Sequence, residues 1–178
     1  MTADRPTLSA AGFAAKWRDN VRRERASSQE HFIDLCRMLG VQMPNEADPT
    51  GEWYSFEAGA ARTSTGGTGA ADVWKRSVCG WEYKGAHADL GAAYRQLLDH
   101  REALANPPLL VVSDMDVIEV HTDFTNTKTT VHRVTLKDVE AGGDRTAEAL
   151  RVLRAVMSEP EALRPRQTPD EVTQLALP

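Results

Sequence analysis

The sequence predicts an α/β domain in which a mixed central β-sheet is flanked by helices, and three observations predict it. Apolar residues recur at helical spacing near both ends of the chain and in its middle. Between these stretches lie short segments rich in β-branched and aromatic residues, which are typical of strands: 53–56, 72–75, 80–84, 109–112, 117–121 and 129–136. The continuous apolar run at 109–112 favours a central strand that is covered on both faces.

The N-terminal region predicts two helices. Phe13, Trp17 and Val21 recur every fourth residue, which places them on one face of a helix near residues 9–25. Ser27 followed by Glu30 fits a capping box. A second helix, or a continuation of the first, is therefore expected to run from there to Gly40.

Two segments connect the helices to a predicted hairpin. Residues 41–52 contain two prolines, a glycine and three acidic residues, which predict a loop. Residues 63–69, TSTGGTG, predict a flexible polar connector. The segments 72–75 and 80–84 are separated by a short polar turn, which favours an antiparallel hairpin.

Two more helices are predicted further along the chain. Residues 88–105 keep a helical period until Asn106, Pro107 and Pro108 end it, and a last helix is expected over 144–157. Residues beyond Pro160 are proline-rich and weakly apolar. We therefore predict a domain over residues 1–158 and, over 159–178, a linker or the start of a following helical region.

Composition and missing motifs exclude several classes of protein. The 178 residues correspond to about one domain, and the net charge of −5 excludes a wholly basic, histone-like binder. With neither a long apolar run nor a signal-peptide core, we predict no membrane association and a cytoplasmic location. The cysteine and histidine spacings do not favour zinc, and no G-x-S-x-G elbow indicates a serine hydrolase.

The hairpin segment carries the residues that point to chemistry. Asp72 precedes Glu82 by ten residues, and Lys84 follows Glu82 by two. Because alternate residues of a strand share a face, Glu82 and Lys84 project together, and a hairpin would bring Asp72 beside Glu82. Paired carboxylates suit Mg²⁺, and a lysine stabilises negative charge on a phosphate, so the trio suits phosphodiester hydrolysis. The alternative interpretation is an exposed hairpin with a surface Glu–Lys pair.

With these residues the sequence resembles the PD-(D/E)xK nucleases, whose motif is an acidic residue, a spacer and [DE]-x-K on the next strand. More narrowly, residues 13–123 resemble the N-terminal nuclease domain of type IIG restriction enzymes, which fuse a nuclease to an adenine methyltransferase. The segments SSQEHFIDLCRMLGV, DVWKRSVCGWEYKG, ADLGAAYRQLLDHREAL and PPLLVVSDMDVIEVHTDF carry this likeness. The proline that names the motif is replaced by Ala71. The resemblance implies a restriction-endonuclease-like fold.

The resemblance also implies roles for individual residues. Asp72 and Glu82 become ligands of Mg²⁺, for which Mn²⁺ could substitute, and Lys84 becomes the catalytic lysine. Glu30 matches a helical glutamate that approaches the metal, with the capping box as its alternative role. Gln96 matches a glutamine near the active site, with a solvated helix position as its alternative, whereas Tyr94 is expected in the core.

A basic cluster offers a surface for DNA. Five basic residues stand against two acidic ones between positions 16 and 25, and a charged patch of this kind binds phosphates. Arg22, Arg23 and Arg25 are the candidates within it, and Lys75 is the candidate near the hairpin. The alternative is an ordinary solvated helix face.

Together with the trio, the resemblance implies a metal-dependent endodeoxyribonuclease that acts on double-stranded DNA, as the cleavage part of a restriction-modification or phage-defence enzyme. The resemblance also implies a methyltransferase and a target-recognition region, which are expected in the same or a partner chain. Cleavage of both strands would need two copies, which predicts a homodimer on DNA. The alternative functions are a catalytically inactive nuclease-fold DNA-binding module and a helix-mediated protein-interaction module.

Overall fold

The described part of the chain forms six strands and six α-helices, in the order three helices, three strands, one helix, three strands and two helices. A computed structural model describes residues 7–19, 24–58 and 71–166, without the side chains of 24–26. The predicted connector 63–69 lies outside the described residues. The helices are α1 (Ala10–Trp17), α2 (Glu24–Leu39), α3 (Pro44–Ala47), α4 (Leu90–Asp99), α5 (Leu136–Glu140) and α6 (Gly143–Ser158). The strands are β1 (Tyr54–Ala58), β2 (Ala71–Lys75), β3 (Cys79–Tyr83), β4 (Leu109–Ser113), β5 (Val117–Thr122) and β6 (Val131–Thr135).

The strands form one mixed sheet in the order β1-β2-β3-β4-β5-β6. Every neighbouring pair is antiparallel except β3 and β4, which run parallel because α4 crosses between them. The predicted α/β class with a mixed sheet flanked by helices is confirmed. The predicted central strand is β4, whose five residues are all buried, as a strand covered on both faces requires.

Side-chain alternation divides the sheet into two faces. The first face includes Val73, Trp81 and Val111, and packs in one core with residues of α1, α2, α5 and α6. The second face includes Trp74 and Leu110, and packs against α4. Each fully buried Val or Leu side chain contributes about 1.5–3 kcal/mol, so these two cores fix the positions of the helices on the sheet.

The end of α1 and the start of α2 lie at other residues than the sequence predicts, whereas α1 begins after Ser9 and α2 ends before Gly40 as expected. The Oγ atom of Ser9 caps α1 by accepting a hydrogen bond from the backbone nitrogen of Gly12, and the helix ends at Trp17, well short of residue 25. Helix α2 already includes Glu24, so Ser27 lies inside the helix and is fully buried. The predicted capping box of Ser27 and Glu30 is therefore wrong, because packing into the core extends the helix beyond its local start signal.

The connections to the sheet depend on side-chain caps. Asp48 follows α3, a short helix within the predicted loop, and its carboxylate accepts hydrogen bonds from the backbone nitrogens of Gly51, Trp53 and Tyr54. These bonds lead the chain into β1. At the other end of the sheet, Thr135 caps α5, so β6 ends one residue before the predicted strand does.

The C-terminal part of the described chain packs on the first core. A turn of 3-10 helix follows α6 at Pro160–Leu163, and Leu163 is buried. The guanidinium of Arg164 lies 4.5 Å from the ring centre of Phe124. The packed unit thus extends to at least Leu163, beyond the predicted boundary at residue 158. Within residues 7–19, 24–58 and 71–166, no helix is long and apolar enough to cross a membrane.

Candidate active site

The β2–β3 hairpin places two carboxylates side by side. Val73 pairs with Trp81 and Trp74 with Gly80, and the same register extended by one residue places Asp72 opposite Glu82. Side chains directly opposite each other in an antiparallel pair project from one face, with Cβ atoms about 4.5–5.5 Å apart. Asp72 and Glu82 therefore share the second face of the sheet, as the hairpin spacing predicts.

The Asp72 carboxylate is held by the neighbouring strand. Its Oδ2 atom accepts a hydrogen bond of 2.7 Å from the backbone nitrogen of Tyr83. A hydrogen bond to an ionised carboxylate is stronger than one between neutral groups, so this contact fixes the orientation of the side chain. Sequence reasoning missed this role of Tyr83, although its position directly after Glu82 in the hairpin is the signal that could have found it.

Lys84 connects three elements of the site. Its Nζ atom donates to Oε1 of Glu82 at 2.9 Å and to Oε1 of Gln96 at 3.2 Å. The side chain of Glu82 is only 12% exposed and that of Lys84 26%, so this ion pair is more shielded from water than a surface pair. The backbone nitrogen of Lys84 donates to the carbonyl oxygen of Ser113 at 2.8 Å, which ties the end of β3 to β4.

Helix α4 places Gln96 next to the lysine. The Asp89 carboxylate caps the helix by accepting from the backbone nitrogen of Ala92, and the buried side of the helix packs on the second face of the sheet. Tyr94 is half-buried against this core, where its ring stacks on that of His121 with 3.8 Å between the ring centres. Helix α4 thus brings Gln96 to the ammonium of Lys84, and its place in an active site stays a prediction.

A glycine allows the segment after α4 to lie close to the hairpin. A Cβ atom on Gly80 would stand 2.8 Å from a methyl carbon of Leu104. The indole nitrogen of Trp74 donates to the carbonyl oxygen of Leu104 at 2.8 Å. The close approach and the hydrogen bond together fix this segment on the second face, and hence the position of α4 beside the trio.

Glu30 lies on α2 and forms an ion pair with Lys16, with 2.8 Å between Oε1 and Nζ. Among the residues that the structure describes, no group of three or more His, Cys, Asp or Glu side chains lies close enough to hold a metal ion. The structure therefore does not gather Glu30 with Asp72 and Glu82 into one set of three carboxylates.

Of the four predicted DNA-binding residues, the structure describes the side chain of Lys75, which lies on the opposite face of the sheet from the trio. Lys75 projects from the first face, where its Nζ atom donates to the carbonyl oxygen of Met157 at 2.7 Å and lies 4.8 Å from the ring centre of Tyr54. Burial lowers the pKa of Lys75. Arg22 and Arg23 lie outside the described residues, and of Arg25 only the backbone is described.

The two carboxylates and the lysine are the residue types that bind Mg²⁺ together with a substrate phosphate. Mg²⁺ is usually bound through one or two carboxylates while it keeps several water molecules, and phosphate oxygens complete its shell. Asp72 and Glu82 supply two carboxylates on one face, and Lys84 adds a positive charge beside them. These three side chains are thus the groups that the described residues offer to a divalent cation and a phosphate.

A functional assignment of this chain depends on Asp72, Glu82, Lys84 and Gln96 themselves. No family model, no curated protein and no solved structure matches the chain. The likeness to PD-(D/E)xK nucleases rests on the motif residues and their order in the sequence, and the restriction-endonuclease-like fold stays a prediction.

Proposed function

We propose that this chain is a Mg²⁺-dependent endodeoxyribonuclease domain of the PD-(D/E)xK type. The observation that carries the proposal is the convergence of Glu82, Lys84 and Gln96 through the two hydrogen bonds of the lysine ammonium, on the face that Asp72 shares. An exposed hairpin with an unrelated surface pair would not need a glutamine from a separate helix at the same ammonium. Mn²⁺ would substitute for Mg²⁺ at the same oxygen ligands.

Each residue of the site has a defined part in the proposed reaction. Asp72 and Glu82 would hold the cation, and the Tyr83 N–H fixes the orientation of the Asp72 carboxylate. A bound Mg²⁺ would polarise the phosphate and acidify an attacking water. The Lys84 ammonium stabilises the negative charge that grows on the phosphate, and Gln96 holds that ammonium in place.

The proposed substrate is double-stranded DNA, and the proposed setting is a cytoplasmic restriction-modification or phage-defence enzyme of the type IIG kind. The motif segments between residues 13 and 123 support this setting. Base recognition and methylation would belong to a target-recognition region and a methyltransferase in the same or a partner chain. A single Asp72–Glu82–Lys84 site serves one strand, so cleavage of a duplex would use two copies on the DNA.

One observation favours a second candidate, a nuclease fold without turnover that binds DNA or a protein. In the described part of the chain the two carboxylates have no third His, Cys, Asp or Glu with which to form a metal-binding group. In this alternative, the Lys84–Glu82 pair is an ion pair that stabilises the hairpin and has no catalytic part.

A plasmid-nicking assay tests the proposal. Supercoiled DNA incubated with the wild-type chain and Mg²⁺ should be converted to open-circular DNA where one copy cuts one strand, and to linear DNA where two copies cut both strands. Lys84→Met should reduce the nicking rate at least about 100-fold, the scale expected when a positioned electrostatic group is removed.

Arg95→Met is the matched control, since Arg95 is an exposed cation on α4 one residue from Gln96. It should nick at the wild-type rate. Metal-dependent nicking by Lys84→Met at the wild-type rate would contradict the catalytic role.

A further inference from the structure

On the face of the sheet opposite the site, Tyr83 forms a buried hydrogen bond with His31, and the backbone of Tyr83 contacts the site. Tyr83 lies between Glu82 and Lys84, and strand alternation directs its side chain to the first face, where it is fully buried. Its hydroxyl lies 2.8 Å from Nδ1 of His31 on α2. The backbone nitrogen of this same residue is the donor to Asp72.

His31 is itself fixed within a cage of aromatic rings. Its ring centre lies 5.2 Å from that of Phe13 and 4.8 Å from that of Trp17, both in edge-to-face geometry, and 5.4 Å from that of Tyr83. His31 is fully buried. A side chain held on several sides cannot change rotamer without disturbing the core, so it forms a rigid support for the tyrosine hydroxyl.

Both partners of this bond are neutral. Burial lowers the pKa of His31 to about 3 and raises that of Tyr83 well above its usual value. The nearby backbone of Met115 raises the pKa of the imidazole, but by less than burial lowers it. The Nε2 atom forms no well-aligned hydrogen bond with a described residue. Among the described residues, the Tyr83 hydroxyl is the hydrogen-bond partner of Nδ1, and losing it would leave a second ring nitrogen without a well-aligned hydrogen bond.

We propose that His31 is a positioning residue for the metal-binding carboxylates. Through the Tyr83 hydroxyl it holds the end of β3, and this end carries Glu82, Lys84 and the N–H group that orients Asp72. The inference rests on the proposed function, because it assigns His31 a role in the metal affinity of that site. His31 touches neither metal nor substrate and acts only through Tyr83.

Two tyrosine variants form a matched test. Tyr83→Phe removes only the hydroxyl that contacts His31. Tyr54→Phe removes the hydroxyl of another buried tyrosine of the same core, which contacts Sγ of Cys36 and the carbonyl oxygen of Gln42 on the side of β1. Both substitutions cost stability through a lost buried hydrogen bond, but only the first lies on the path to Asp72.

Mn²⁺ titration by calorimetry and hydrogen exchange of the residue-83 amide, measured against the β4 amides, are the readouts. We expect Tyr83→Phe to weaken Mn²⁺ binding about tenfold, as loss of an outer-shell partner does, and to speed exchange at residue 83 selectively. Tyr54→Phe should do neither. Equal effects of the two variants, or none from Tyr83→Phe, would overturn the inference.

The double variant His31→Leu/Tyr83→Phe separates positioning from stability. Replacing both partners by apolar groups restores stability, because no buried polar atom is left unpaired. The metal affinity should stay about tenfold weaker, since the support of β3 is still missing. Recovery of wild-type affinity would contradict a positioning role. A wild-type chain that binds no Mn²⁺ would refute the proposed function and with it a role of His31 in metal affinity. Unchanged amide exchange at residue 83 in Tyr83→Phe, with Mn²⁺ binding intact in the wild type, would overturn the inference alone.

Discussion

At the scale of single residues, the end of β3 carries the proposed active-site side chains on one face and a buried tyrosine on the other. Glu82 and Lys84 project toward α4, whereas Tyr83 between them projects into the core on the opposite side. The residue spacing alone predicts which carboxylates meet, because period-two alternation is a local property. It does not predict that Tyr83 meets His31, since that contact joins two residues 52 positions apart through the packing of α2.

The buried imidazole predicts an acid dependence of stability. The folded pKa of His31, about 3, lies below the value near 6.5 of the unfolded chain, so the unfolded state binds the proton first as pH falls. Stability should therefore decline from about pH 6.5 towards pH 3, with His31 contributing about 1.4 kcal/mol per pH unit.

Urea unfolding of the wild type and His31→Gln at several pH values measures this contribution. The glutamine variant should show the shallower decline, while His121 and His132, whose pKa values burial also lowers, affect both proteins alike. Parallel declines of the two proteins would contradict a neutral buried His31.

At the scale of elements, the strands of the hairpin and the central strand follow the predicted pattern closely, and the start of α2 does not. Apolar runs and alternation specify β2, β3 and β4 locally, whereas α2 begins before its predicted cap because the buried Ser27 belongs to the packed part of the helix. The same alternation that joins Asp72 with Glu82 places Lys75, three residues later, on the other face. There it caps the C-terminal end of α6.

Lys75→Met should lower the free energy of unfolding by about 1–2 kcal/mol, because the Met157 carbonyl loses a charged donor. The affinity for a DNA duplex should stay unchanged. Urea unfolding and a fluorescence-anisotropy titration with duplex DNA measure the two quantities. Arg154→Met, an exposed change on α6, serves as the control for lost charge. Unchanged stability together with weaker DNA binding would instead support the role that the sequence predicts for Lys75.

At the scale of the whole molecule, one sheet joins two cores and sets the site at the edge of the smaller one. An ion pair between Arg18 and Glu140 adds a contact between the chain just after α1 and the end of α5, on the side of the larger core. The α/β architecture follows from the order of periodic segments, which the sequence displays. The absence of Glu30 from the carboxylate group could not be predicted, because it depends on where α2 docks and on the competing ion pair with Lys16.

The central claim is that Asp72 and Glu82 together bind a divalent cation, and calorimetric titration with Mn²⁺ tests it most directly. The matched control is Glu119→Gln. The register Glu82–Val112–Glu119 places Glu119 on the same face of the sheet, two strands away from Glu82. The Glu119 side chain is 17% exposed and forms an ion pair with Arg133. The wild type and Glu119→Gln should show the same binding isotherm, and Asp72→Asn should bind at least about tenfold more weakly. Identical titrations of all three proteins would contradict the metal site and favour an interaction module.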